Sequence, residues 1–268
     1  MNEKEFRSER ARAFRELHRE GSLLVLPNAW DAGSARLVES CGASAVATSS
    51  AAVAWAHGAA DGEQLERGVL VRAVGEIARV VRGPLSVDAE AGYAAEPAGV
   101  AETVGALVEA GAVGINLEDG AGAPELLAAK IEAAKRAAAS AGVELFVNAR
   151  TDVYEEVVRR ARLYQAAGAD GLFVPGLTAP AEIEIVVREA RLPLNLMIRP
   201  NLPPADELRR LGVRRLSAGT ALSLATFGFV RRATRELLER GTYEPLLAGA
   251  AGYDEMNALF GPRPDTTR

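Results

Sequence analysis

The chain has 268 residues, with 31 Lys and Arg against 36 Asp and Glu and a formal net charge of -5. That mild acidity gives no support for a nucleic-acid or anionic-membrane partner. A single cysteine, Cys41, excludes an intramolecular disulfide and CxxC zinc sites, and two histidines, His18 and His57, argue against a multi-histidine metal centre.

The first residues are charged and carry no apolar core, so they do not read as a signal peptide. No apolar run of about 18 residues occurs, so no membrane span is expected and the cytoplasm is the expected compartment. Residues 3–19 place Phe6, Ala13, Phe14 and Leu17 at helical spacing, an amphipathic helix ahead of the main fold. Residues 23–26 form a short apolar run that suits a strand buried on both faces. Asp31 can cap a helix over residues 32–40, with Gly42 ending it. Cys41, at that helix end, reads as a buried structural thiol. A second strand over residues 44–50 leads into a small-residue loop with Trp55, His57 and Asp61, and a helix spans about 63–81.

The alternation then continues. Strands are expected at residues 84–90, 113–118, 144–150, 171–174, 192–197 and 214–218. Helices are expected at 97–110, 124–141, 154–167, 180–190, 204–211 and 221–240. Gly111, Gly168 and Gly212 each supply a helix end just before the next strand. Eight such units predict an α/β fold, a (β/α)8 TIM barrel; a doubly wound open sheet is the runner-up, weakened by the absence of GxGxxG after the first strand. The whole chain reads as one domain. Residues 1–20 are its N-terminal helix and 241–268 a C-terminal helical extension. The apolar residues of that extension need a surface on this barrel or on another chain.

Barrel enzymes place their chemistry at the C-terminal strand ends. Here those ends are polar: Asn28, Trp30 and Asp31; Thr48, Ser49 and Ser50; Asp88 and Glu90; Asn116, Glu118 and Asp119; Asn148, Arg150 and Asp152; Asn195; Ser217 and Thr220. Gathered polar groups cost folding energy unless paired or used. Asp88 and Glu90 are two apart, and strand alternation would aim both into one space, where they repel unless a cation sits between them. With Glu118 they form a carboxylate group suited to Mg2+, partly through waters. Arg150 can grip a carboxylate, or pair with Glu118. Ser49, Ser50 and their amides suit a second oxyanion, and Asn195 can donate to the same ligand or satisfy backbone. His57 reads as a loop histidine.

Together these stretches resemble the isocitrate lyase / phosphoenolpyruvate mutase superfamily. The carrying motifs are Pro27-Asn-Ala-Trp-Asp31, Thr48-Ser-Ser50, Val87-Asp-Ala-Glu-Ala-Gly-Tyr93, Ile115-Asn-Leu-Glu-Asp119, Asn148-Ala-Arg-Thr-Asp152 and Phe173-Val-Pro-Gly176, in the family's order. The resemblance implies a lyase that uses Mg2+, or Mn2+ in its place, on a small 2-oxo acid or a di- or tricarboxylate. Asp88, Glu90 and Glu118 match the metal positions, with Glu90 replacing an Asp. Arg150, Ser49 and Ser50 match the oxo-acid grip, with Trp30 and Asn195 beside it. Asp61 falls where the family has an acid after the second strand. The resemblance also implies a modified barrel with a swapped C-terminal helix and a homo-oligomer, a dimer or dimer of dimers.

The likeness fails at one place. Family lyases carry Lys-Lys-Cys-Gly-His in a mobile loop after the fourth strand. Here Glu118-Asp-Gly-Ala-Gly-Ala-Pro124 has no lysine, cysteine or histidine. The expected reaction is C–C cleavage of an isocitrate-, 2-methylisocitrate- or dialkylmalate-like acid through an enolate, with Asp61 or water moving the proton. The alternatives are decarboxylation of a 2-oxo diacid, P–C cleavage of the phosphonopyruvate type, or a 2-oxo acid binding protein without turnover.

Overall fold

The computed structural model describes residues 3–19 and 21–261. In chain order the elements are α1 (Glu3–Glu16), β1 (Leu24–Leu26), β2 (Asn28–Ala29), α2 (Ala32–Ser40), β3 (Val46–Thr48), α3 (Ser50–Ala56), α4 (Arg67–Val80), β4 (Leu85–Asp88), α5 (Pro97–Ala110), β5 (Gly114–Glu118) and α6 (Pro124–Ser140). There follow β6 (Phe146–Arg150), a 3-10 turn (Tyr154–Glu156), α7 (Val157–Ala166), β7 (Gly171–Phe173), α8 (Pro180–Ala190), β8 (Leu194–Met197), α9 (Ala205–Arg210), β9 (Arg215–Ser217), α10 (Ala221–Arg240), α11 (Glu244–Leu247) and α12 (Tyr253–Phe260).

The nine strands are all parallel, in the order β1-β9-β8-β7-β6-β5-β4-β3-β2. β1 and β2 are two halves of one barrel strand. Pro27 lies between them and has no N–H for the ladder, so the first half pairs with β9 and the second with β3. The sheet thereby closes as the (β/α)8 barrel the sequence predicts.

Local signals act where expected. Asp31 caps α2 by accepting from Ser34 N–H at 2.6 Å, and the Ser34 hydroxyl oxygen in turn accepts from the Asp31 N–H. Gly111, Gly168 and Gly212 all have positive φ just past a helix. Two expectations need correction. The expected loop after the second strand begins with α3, because its alanine-rich run from Ser50 to Ala56 favours helix. The helix expected from residue 63 starts at Arg67, because Glu63 has φ 57° and turns the chain first.

The barrel floor is closed by α1. Phe14 is fully buried and meets Phe146 edge-on at 5.4 Å and His18 at 4.8 Å. His18 stacks on Phe146 at 4.1 Å, and burial, with Arg215 nearby, pushes its pKa down to about 3. Phe14 fits because position 114 is glycine: a Cβ there would lie 2.5 Å from the Phe14 ring.

The outer wall is incomplete where the eighth helix of a barrel would lie. α10 buries only Ser223 and Ala233 and exposes Leu222, Leu224, Phe227, Phe229, Val230, Leu237 and Leu238. Beside it an apolar groove of about 450 Å³ is lined by Val25, Trp30, Leu37, Cys41, Ile198 and Leu222, among others. Cys41 is exposed there, not buried, because it sits past the last turn of α2. α12 rests against α2, with Arg36 Nε donating to the Leu259 carbonyl at 3.2 Å. No described helix is long and apolar enough to cross a membrane.

Removing the floor plug should be costly. Phe14→Ala is expected to lower unfolding free energy by about 3–5 kcal/mol, read from urea unfolding curves.

Candidate active site

The acids sit at the C-terminal ends of adjacent strands, β4 and β5. Asp88 ends β4, and its N–H donates to Thr48 Oγ1 at 2.9 Å. Among the described residues its carboxylate receives one hydrogen bond, from Ser50 N–H at 3.3 Å. Glu118 ends β5 in register with Arg150 at the end of β6. Burial pushes the Glu118 pKa up to about 7. The Arg150 guanidinium opposes that rise, while Asp88, Asp152 and Glu90 add to it.

Glu90 departs from the strand argument. β4 stops at Asp88, and Glu90 has φ 49°, in the left-handed region. Its carboxylate therefore does not continue the alternation. One oxygen accepts from Glu63 N–H at 2.7 Å and the other from Tyr93 O–H at 2.9 Å. Glu63 returns the link by accepting from Tyr93 N–H at 2.7 Å. Burial raises the Glu90 pKa while these two donors oppose the rise. Glu90 thus ties the loop that carries Asp61 to the turn after β4. Asp61 itself is exposed and lies near enough to Glu90 to repel it.

Arg150 is a half-buried cation with three of its five N–H groups engaged. Nε and Nη2 hold Asp152 at 3.0 and 2.9 Å, and Nη1 holds Glu118 at 2.8 Å. The Glu118 partnership, weighed from the sequence as the lesser role, is present in the structure. Two N–H groups remain for a ligand anion. The guanidinium also lies 5.7 Å from the Phe173 ring centre, which fixes its plane.

Ser49 is buried at the start of α3, beside Ser50. Asn195 is buried inside the barrel, where its Oδ1 accepts from Ser217 Oγ at 3.3 Å. Trp30 lines the apolar groove beside α10. Sequence reasoning passed over Thr48 as the support of Asp88, and over an inward row on neighbouring strands. In that row Asn148 Nδ2 donates to Asn116 Oδ1 at 2.9 Å, and Arg215 reaches the same oxygen at 3.4 Å. The signal for Arg215 was its place two residues before Ser217, which aims both inward from β9.

The donor set fits a hard divalent cation. Asp88 and Glu118 offer oxygen, and an uncompensated excess of acids surrounds them. No three acids, histidines or cysteines converge among the described residues, so waters would complete the shell. Asp88 and Glu118 would hold the ion directly, and Glu90, with both oxygens engaged, stands behind.

The loop after β5 is pinned. The Asp119 side chain is fully buried, held by Arg160 Nη1 at 2.7 Å and Tyr164 O–H at 2.5 Å. Arg160 also donates to the Gly122 carbonyl at 2.9 Å, and Ala121 N–H to Asp119 at 3.2 Å. These bonds hold the short segment against α7.

Comparison with known proteins agrees with this layout. The family model described as phosphoenolpyruvate phosphomutase matches residues 14–238. An uncharacterised protein of Mycobacterium tuberculosis (strain H37Rv) is 38% identical over 220 residues, 78% of this chain and 82% of that one. The 2-methylisocitrate lyase of Aeropyrum pernix is 30% identical over 265 residues, 92% of this chain and 86% of that one. A crystal structure of 2,3-dimethylmalate lyase, a member of the PEP mutase/isocitrate lyase superfamily, superposes with TM-score 0.84 at 27% identity, over 94% of this chain and 93% of that one.

The Glu118 environment has a measurable cost. Its folded pKa lies above the unfolded value of 4.5, so in metal-free protein its contribution should fall as pH rises from 4.5 through about 7. Glu118→Gln is expected to flatten that part of the stability profile, measured by urea unfolding in EDTA across the window.

Proposed function

The chain belongs to the phosphoenolpyruvate phosphomutase family, within the PEP mutase/isocitrate lyase superfamily, and from that premise we propose that it is a divalent-metal-dependent lyase that cleaves a C–C bond in a substituted malate- or isocitrate-like acid. The observation that carries this reading is the meeting of Asp88, Glu118 and Arg150 at three adjacent strand ends. Asp88 and Glu118 would hold Mg2+, or Mn2+ in its place, which when bound would polarise the oxo group of the released 2-oxo acid. Arg150 turns its two remaining N–H groups to a substrate carboxylate. Ser50 N–H donates to Asp88 at the same strand ends, and the Ser49 and Ser50 hydroxyls beside it suit a second oxyanion. The link from Glu90 to Glu63 holds the Asp61 loop at the mouth, where Asp61 or water moves the proton.

The loop after β5 favours a second reading. It brings no lysine, cysteine or histidine and is pinned against α7. Decarboxylation of a 2-oxo diacid releases CO2 and leaves an enolate that water can protonate, so it needs no acid from that loop. A 2-oxo acid binding protein would share the grip and lack turnover.

Oligomer formation follows from the bare faces. The apolar side of α10 and the groove beside β1 suit exchange of the C-terminal helices between copies in a dimer or dimer of dimers. Light scattering of the purified protein is expected to give a multimer mass, and Leu224→Asp with Phe227→Asp should lower it.

The deciding experiment pairs thermal melting with product assay. Mg2+ with pyruvate, oxaloacetate or 2-oxoglutarate is expected to raise Tm, by about 2.7 kcal/mol of stabilisation at 100 times Kd, with EDTA abolishing it. Asp88→Ala should remove the shift, and Arg150→Lys should weaken it by tenfold or more in affinity. Release of a 2-oxo acid from dialkylmalate- or 2-methylisocitrate-type substrates supports the lyase. Consumption of oxaloacetate alone supports the decarboxylase, and a shift without turnover supports the binding protein. No metal-dependent shift with any acid overturns the site.

A further inference from the structure

Arg215 is the largest fully buried side chain of the barrel, 1% exposed. Its guanidinium rests 5.9 Å from the Phe14 ring centre, above the floor. Nη2 makes one long hydrogen bond to Asn116 Oδ1, an oxygen that already accepts from Asn148. Nε and Nη1 meet no partner among the described residues. No described carboxylate pairs with it, and Asp88 acts on it only through space. An arginine keeps its proton in proteins, so this is a buried cation without a counterion.

Its surroundings are equally one-sided. Asn195, its register partner on β8, has an unpartnered buried Nδ2. Ser86 on β4 has an unpartnered buried Oγ, on the side of Gly114 where the Phe14 ring sits. Each of these atoms carries a donor hydrogen. A water accepts at most two hydrogen bonds and neutralises no charge. Buried charge is tolerated only when paired, so the interior calls for an acceptor that is itself negative. Phe14 and His18 pack the floor beneath these donors, so the acceptor proposed is a small one.

We propose that the barrel interior, beneath the strand-end acids, binds a small monovalent anion of halide size held by Arg215, Asn195 and Ser86. Arg215 and Ser86 take no part in the oxo-acid grip, and Asn195, which the resemblance set beside that grip, is buried with Ser217 inside the barrel.

The test uses the intact protein without substrate or divalent metal. Tm is measured at fixed ionic strength while chloride or bromide replaces gluconate, an anion too large for the interior. The unaltered protein should melt higher in halide, with midpoints that rise with halide concentration, and Arg215→Met should lose that dependence. Equal melting of the unaltered protein in both salts, or an unchanged halide response in Arg215→Met, overturns the proposal. Should Arg215→Met fail to fold, crystals of the unaltered protein grown in bromide decide the matter. An anomalous peak beside Arg215 Nε and Nη1 supports the site, and its absence there refutes it.

Discussion

The mouth of the barrel depends on one charge balance: a single guanidinium, Arg150, set among Glu118, Asp152 and Asp88. The cation holds two of these acids directly and lowers the cost of the third. Even so, the balance is incomplete, since burial still pushes Glu118 far above the ordinary carboxylate range. The unmet negative charge is why a divalent cation is the natural complement. If Glu118 and Asp88 held the proposed metal, Arg150 would be loosened from Glu118 and freer to meet an incoming carboxylate. Metal and substrate would thus strengthen each other through the same side chain, which is the arrangement that favours an ordered, paired occupancy.

Beneath the mouth, the barrel replaces an apolar interior with polar side chains. Asn116, Asn148, Asn195, Ser86, Ser217 and Arg215 all point inward and are buried. A barrel interior is ordinarily filled by branched aliphatic side chains. Phe14 and His18 seal this polar row from below, and Gly114 provides the room for the seal.

Much of this was legible in the sequence. Apolar runs bounded by glycine ends gave every barrel strand, because each boundary rests on local backbone preference. The polar strand ends gave Asp88, Glu118 and Arg150, because parallel strands of a barrel end on one face. Glu90 was misjudged because alternation was carried past the end of β4, where a left-handed residue turns the side chain away. The groove that Trp30 lines is a tertiary feature with no local signal. Cys41 was expected inside because its type favours burial, whereas its place past the last turn of α2 leaves it exposed. Arg215 escaped notice because a second arginine in a charged pair looks solvated until the strand is placed. The hydrogen bonds that pin Asp119 join residues 41 and 45 positions apart, beyond any local pattern.

The anchoring of that loop also bears on the time scale of ligand exchange. Enzymes that fold a lid over their substrate add a slow conformational step between encounter and commitment. Here the segment from Asp119 to Gly122 is already bonded to Arg160 and Tyr164. A ligand would therefore spend no ordering entropy on this segment. Exchange of the proposed ligand would then not wait on this segment.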